Sequence, residues 1–170
     1  MSSQLRVDKI IPVDGVPTGG GGGIIQVVQT IKKDQFTTAN NTSNYTDITG
    51  LSATITPKFN TSKIMVECNI YNSNSNAVNF FRVLRGSTFI EQPSGTSSSG
   101  AGFNAHGFAY FDHSFQDTTV IKILDSPATT SSTTYKVQMA VTGATGTINK
   151  FYNTSNYYGI STIQLYEVSA

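Results

Sequence analysis

The chain holds few side chains that do chemistry, and their spacing suits them poorly for it. Its two histidines are His106 and His113. In a continuous strand they would face opposite sides of a sheet, because strand side chains alternate. A mononuclear metal site from one chain is therefore not expected, and a ring of histidines at an oligomer axis is the arrangement left. The lone cysteine, Cys68, has no internal disulfide partner. It shares a strand face with Ile64, Val66 and Ile70, so it reads as a small buried hydrophobe. Ser114 follows His113, but neighbouring strand residues diverge, and the chain has no Gly-x-Ser-x-Gly elbow. Asp112, Asp117 and Glu91 are carboxylates that could pair for glycoside cleavage, yet the ten acidic residues are spread along the chain. The run Gly19, Gly20, Gly21, Gly22 and Gly23 is not followed by Gly-Lys-Ser/Thr. It also lacks the strand-then-helix context of a dinucleotide turn. The residues thus point away from an enzyme, with no catalytic residue, metal ligand or cofactor expected.

The composition narrows the classes further. Only 12% of the 170 residues are charged, the net charge is +1, and Ser, Thr and Asn make up about a third of the chain. Nucleic-acid binding needs a clustered basic field that scattered lysines do not supply. A near-neutral chain keeps itself soluble with polar groups or hides surface in an oligomer, and the second is favoured here. No apolar run reaches the ~20 residues of a membrane-spanning helix. The N-terminal residues have no apolar core of the kind an export signal needs, so synthesis in the cytoplasm is expected.

These residues sit on a three-part plan. Residues 1–18 read as a short extended anchor. Leu5, Val7, Ile10 and Ile11 supply its apolar contacts, and Pro12 and Pro17 exclude a helix across them. Fifteen or so such residues cannot bury a core of their own and must dock on something. Residues 19–23 form a poly-glycine hinge, spanning about 12 Å as a flexible coil, that frees a head from the orientation of its anchor.

Residues 24–170 read as the head. Strands are predicted over 24–31, 51–56, 64–70, 78–85, 88–91, 107–112, 119–124, 134–141 and 161–168, from alternation bounded by Gly, Pro and polar clusters. No window shows a helical apolar period. The expected fold is all-β, a jelly-roll-type β-sandwich. Adjacent aromatics such as Phe80-Phe81 and Tyr110-Phe111 point to opposite faces of a sheet, so one face fills the core and the other meets a neighbour. Phe80, Phe81, Phe108 and Tyr110 are accordingly candidates for an oligomer interface, most simply a closed cyclic one. The stretch 151–158 mixes aromatics with amides. Its Tyr152, Asn153, Tyr157 and Tyr158 suit contact with a sugar or a protein surface.

Five phrases of the sequence carry a resemblance. The segment Leu5–Gly19 and the glycine run into Ile24-Ile25-Gln26-Val27-Val28-Gln29 are similar to the N-terminal region of virion appendage proteins of tailed bacteriophages, especially marine and cyanobacterial ones. The ending Gly159–Val168 resembles the closing strand of trimeric phage heads with a C1q/TNF-like jelly roll. Ser62–Val66 and Phe81–Ser87 fit the same group. The resemblance covers most of the chain through strand and turn phrases. It implies a homotrimer located on the virion, a short fibre, knob or decoration. Its N-terminal peptide would bind a larger virion protein (capsid, portal or tail component), and its head would contact a host surface glycan or protein. No shaft repeat or coiled coil separates anchor from head, so a short appendage suits the length better than a long tail fibre. A free carbohydrate-binding or C1q/TNF-like binding module is the alternative.

Overall fold

The computed structural model describes residues 23–39, 44–94, 104–113, 115–151 and 157–169. Anchor residues Leu5, Val7, Ile10 and Ile11, hinge residues Gly19 to Gly22, and Tyr152, Asn153 and Ser114 lie outside these. Among the described residues there are eleven strands and no helix: β1 (Ile24–Lys32), β2 (Phe36–Thr38), β3 (Thr46–Ile55), β4 (Lys63–Asn74), β5 (Ala77–Arg85), β6 (Thr88–Phe89), β7 (Gly107–Phe111), β8 (Phe115–Asp125), β9 (Thr133–Thr142), β10 (Gly146–Ile148) and β11 (Ser161–Val168).

The chain folds as a rolled ribbon. Antiparallel ladders join β1 to β11, β3 to β9, β4 to β8 and β5 to β7. Each early strand thus pairs with a late one, and the pairing closes inward toward the middle of the sequence. Two further ladders, β11 to β4 and β9 to β5, gather these pairs into two sheets. The first runs β1-β11-β4-β8 and the second β3-β9-β5-β7. The short β2 and β10 extend the first sheet beside the far end of β4, and β6 extends the second. This double Greek-key wrapping is the jelly roll expected from the sequence.

Alternation decides what goes inside. Ile64, Val66, Cys68 and Ile70 of β4 and Ile163 and Leu165 of β11 face Phe81 and Val83 of β5 and Tyr135, Val137 and Met139 of β9, all without measurable exposure. All nine predicted strands are present. The two extra ones, β2 (FTT) and β10 (GTI), are three residues long and carry no alternation. They exist because they pair with each other and with Asn72 and Ser73. Strand β3 begins at Thr46 rather than 51, and a register shift between Asp47 and Ser52 absorbs Gly50, whose φ of 80° suits glycine. Strand β10 approaches so closely that a Cβ on Gly146 would overlap Met139 and come within 2.7 Å of Asn79 Oδ1.

Two expectations are corrected. Phe81 is a fully buried core residue and not available to an interface. Gly23 is not part of a free hinge: its carbonyl accepts a 3.0 Å hydrogen bond from the Ser169 amide, which ties it to the end of the last strand.

Candidate functional site

The residues suspected of chemistry are mostly structural. His106 Nδ1 accepts from the Val83 amide at 2.9 Å, and its Nε2 donates to the Ile90 carbonyl at 2.7 Å. Both ring nitrogens are thus used to hold the turn after β6 against β5, and burial lowers the histidine pKa. His113 sits at the other end of β7, on the surface, 3.3 Å from Asp112. Burial, followed by the neighbouring Glu67, pushes the Cys68 thiol up to about 12, which leaves it uncharged and unreactive. Asp117 accepts from the Thr118 amide and is exposed. Among the described residues, no group of three or more His, Cys, Asp or Glu side chains could hold a metal. An open depression of about 520 Å³ is lined by Glu91, His106 and Val120 to Leu124. These lining residues include no nucleophile paired with a base.

Two buried carboxylates were not legible as special. Asp125 on β8 accepts from Tyr135 Oη at 2.6 Å and takes Arg85 Nη1 on both oxygens at 2.7 and 2.8 Å. It thereby joins the first sheet to β5 and β9 of the second. Burial, then the bond to Asp125, drives the Tyr135 phenol far above its ordinary pKa. Glu167, fully buried on β11, accepts from the Lys58 amide at 2.7 Å and so fixes the turn after β3. Neither group faces open space where a substrate could sit.

The outward faces of the sandwich carry the remaining signal. On the first sheet, cross-strand registers build parallel rows. Val27 stands opposite Tyr166, Tyr166 opposite Met65, and Met65 opposite Leu124. One row on, Gln29, Gln164, Glu67 and Lys122 line up, and Lys122 Nζ lies 3.2 Å from Glu67. Beyond it run Ile31, Thr162, Asn69 and Val120. Val27, Ile31, Val120 and Leu124 are all 45% exposed or more. They are aliphatic, so water is a poor environment for them and they have no polar tip to compensate.

The second sheet presents a different chemistry. Asp47, Gln138 and Arg82 form one row. Ala140, Phe80 and Phe108 form the next, followed by Thr142, Val78 and Tyr110. Phe108 and Tyr110 are 67% and 66% exposed, and the Phe80 ring lies tilted against Phe108 with centroids 6.1 Å apart. The polar row is locked. Gln138 donates to Asp47 at 2.6 Å and accepts from Arg82 Nε at 2.8 Å, while Lys136 donates to Asp47 at 2.8 Å. The Arg82 guanidinium stacks 4.0 Å over the Tyr45 ring, and burial pushes the Tyr45 phenol up to about 12.

Tyr157 and Tyr158 are exposed at the end of the sandwich opposite Gly23 and Ser169. Tyr158 bridges to Lys150, the Phe151 amide donates to the Tyr157 carbonyl at 3.1 Å, and Gly159 lies flat on the Tyr71 ring. A side chain at 159 would overlap that ring. The structure thus keeps Phe80, Phe108 and Tyr110 together and Tyr157 with Tyr158 elsewhere. Sequence reasoning missed the first-sheet face. Its signal was present in Ile24-Ile25-Gln26-Val27-Val28, where apolar residues occupy both alternation classes.

Comparison with known proteins finds no matching family model and no matching curated protein. Solved structures similar to this chain include that of infectious bursal disease virus Gt strain, at 12% identity and a TM-score of 0.45, covering 100% of this chain and 43% of that one. The infectious bursal disease virus VP2 subviral particle is another, at 13% identity and a TM-score of 0.40, covering 85% of this chain and 37% of that one. The chain spans less than half the length of either. The fold assignment rests on the strand order itself.

Proposed function

We propose that this chain is a non-enzymatic virion structural protein of the bacteriophage appendage type. In this reading it is a short fibre, knob or decoration with a homotrimeric jelly-roll head. Residues 1–18 dock on a larger virion protein, and the head projects toward a host surface. The observation that carries the reading is the strand order, β1-β11-β4-β8 against β3-β9-β5-β7. It is the head architecture that the resemblance of the N-terminal and closing segments implies.

The outer face of the first sheet supports self-association. The row Val27-Tyr166-Met65-Leu124 and the aliphatic ends of the row Ile31-Thr162-Asn69-Val120 flank an ion-paired polar row, a pattern suited to burial against another copy of the same face or its edge. Apolar surface gains about 25 cal/mol per Å² when taken out of water, and on this face Val27, Ile31, Val120 and Leu124 supply it. Tyr157 and Tyr158 remain the receptor-facing candidates at the end of the head away from Gly23. The competing reading, a free sugar-binding module, draws on those same tyrosines and gives residues 1–18 no role.

Two measurements test the proposal. The solution mass at micromolar concentration should be three times 18.2 kDa, and Leu124→Asp should reduce it to that of a monomer. A wild-type monomer refutes the trimer. Deleting residues 1–18 should abolish incorporation into particles while leaving the head folded. Normal incorporation of the truncated protein refutes the anchor, and failure of the full-length protein itself to join particles favours the free module.

A further inference from the structure

We infer that the outer face of the second sheet, around Phe80, Phe108 and Tyr110, is a binding platform for a neutral oligosaccharide. The inference rests on the reading above in one respect: with the first sheet turned toward the other copies, the second faces outward.

The two faces differ in kind. Every exposed large apolar side chain on the first-sheet strands is aliphatic, apart from Phe115 at the tip of β8, whereas those on the second-sheet strands are Phe108 and Tyr110. Aliphatic groups answer only to burial. Aromatic rings can also stack on the C–H faces of a sugar while its hydroxyls stay hydrogen-bonded. Phe108 and Tyr110 are alternate residues of β7, so their side chains leave one face about 7 Å apart. Phe80 sits across the ladder from Phe108 and steadies it.

One row away stand the polar partners a sugar needs. Arg82 and Gln138 are held in place by their mutual bond, by Asp47 and by the Tyr45 ring. Groups ordered before binding lose little entropy on binding. The local charge argues for a neutral ligand: Asp47 engages Lys136 and Gln138, and among the described residues Arg82 is the cation in the row beside the rings. A strongly anionic glycan or a nucleic acid requires several. The two rings stand exposed on the face of a sheet, which suits a chain of sugars laid across it rather than a small molecule in a pocket.

The test uses the full-length trimer. Saturation-transfer NMR and calorimetry are run with cellopentaose, mannopentaose and chitopentaose as neutral probes, and with a polygalacturonate oligomer as the anionic probe. Saturable binding of at least one neutral probe is expected. Phe108→Ala and Tyr110→Ala should each weaken it at least tenfold, with melting temperature and trimer mass unchanged. Binding by none of the neutral probes overturns the inference, as does binding of the anionic probe alone or binding indifferent to both substitutions. If Phe108→Ala or Tyr110→Ala yields monomers, the strip is a contact between copies and the inference fails on that ground. Particle incorporation is scored separately, so failure of the sugar site and failure of the virion role are distinguishable.

Discussion

Phe81 and Phe108 lie near one another on paired strands, yet substituting each with alanine should have opposite consequences. Phe81 has no exposed surface and packs among Val83, Val137 and Met139 in the core. Truncating it removes the burial of most of a ring and leaves a cavity that the two sheets cannot close, a loss of about 3–5 kcal/mol. Phe108 is 67% exposed, so its ring is already largely in water. Its truncation forfeits the tilted ring contact with Phe80 and should cost about 0.5 kcal/mol or less. For a domain of this size, about 1 kcal/mol corresponds to roughly 2–4 °C in melting temperature. Phe81→Ala should therefore lower it by about 6–20 °C and Phe108→Ala by about 2 °C at most. Urea denaturation and calorimetry at one fixed protein concentration measure both, since self-association would otherwise enter the comparison. A loss above about 2 kcal/mol for Phe108→Ala, or below about 1 for Phe81→Ala, would refute the assignment of inner and outer faces on β5 and β7.

Two further outcomes follow from the buried polar groups. The Tyr135 phenol is raised by burial and by Asp125, so its neutral form is favoured in the folded state. That stability is fully present below the ordinary tyrosine value near 10 and is lost as pH rises above it. Tyr135→Phe should flatten the alkaline fall measured by pH-dependent denaturation. It should also cost about 1–3 kcal/mol at neutral pH, because Asp125 loses a donor. A fall of equal steepness in both proteins would exclude Tyr135 as its source. His106 is lowered by burial, so its neutral form is favoured. Its contribution is present above the ordinary histidine value near 6.5 and declines as pH falls below it. His106→Gln should remove the decline that sets in as pH falls below the ordinary histidine value, read by thermal melts. An unchanged acid profile counts against the buried neutral ring.

Much of the fold was legible because strand periodicity is a local property. Leu51 to Thr56 alternates strictly and Ile64 to Ile70 nearly so, and the alternation says which side chains enter the core. Cys68 could be placed as buried from its parity alone. The strands β2 and β10 were not legible, since three residues without alternation become strands only when a partner offers hydrogen bonds, β4 to β10 and β10 in turn to β2. The buried roles of Asp125 and Glu167 were hidden for a similar reason. Their partners, Arg85, Tyr135 and the Lys58 amide, lie far away in sequence and are brought together by sheet packing.

The sequence by itself determined the all-β class and most of the strands that fill the core, because composition and alternation do not depend on long-range geometry. It also set Phe80 apart from Phe81, since neighbouring strand residues must diverge. Only the tertiary structure decided what each outer face presents. Val27, Tyr166, Met65 and Leu124 come from four strands, as do the aliphatic residues and their neighbours in the row through Ile31 and Val120. They form one surface because cross-strand register aligns them. The same register gathers Phe80, Phe108 and Tyr110 beside Arg82 on the opposite side of the sandwich, and register is set by the whole ladder rather than by any one segment.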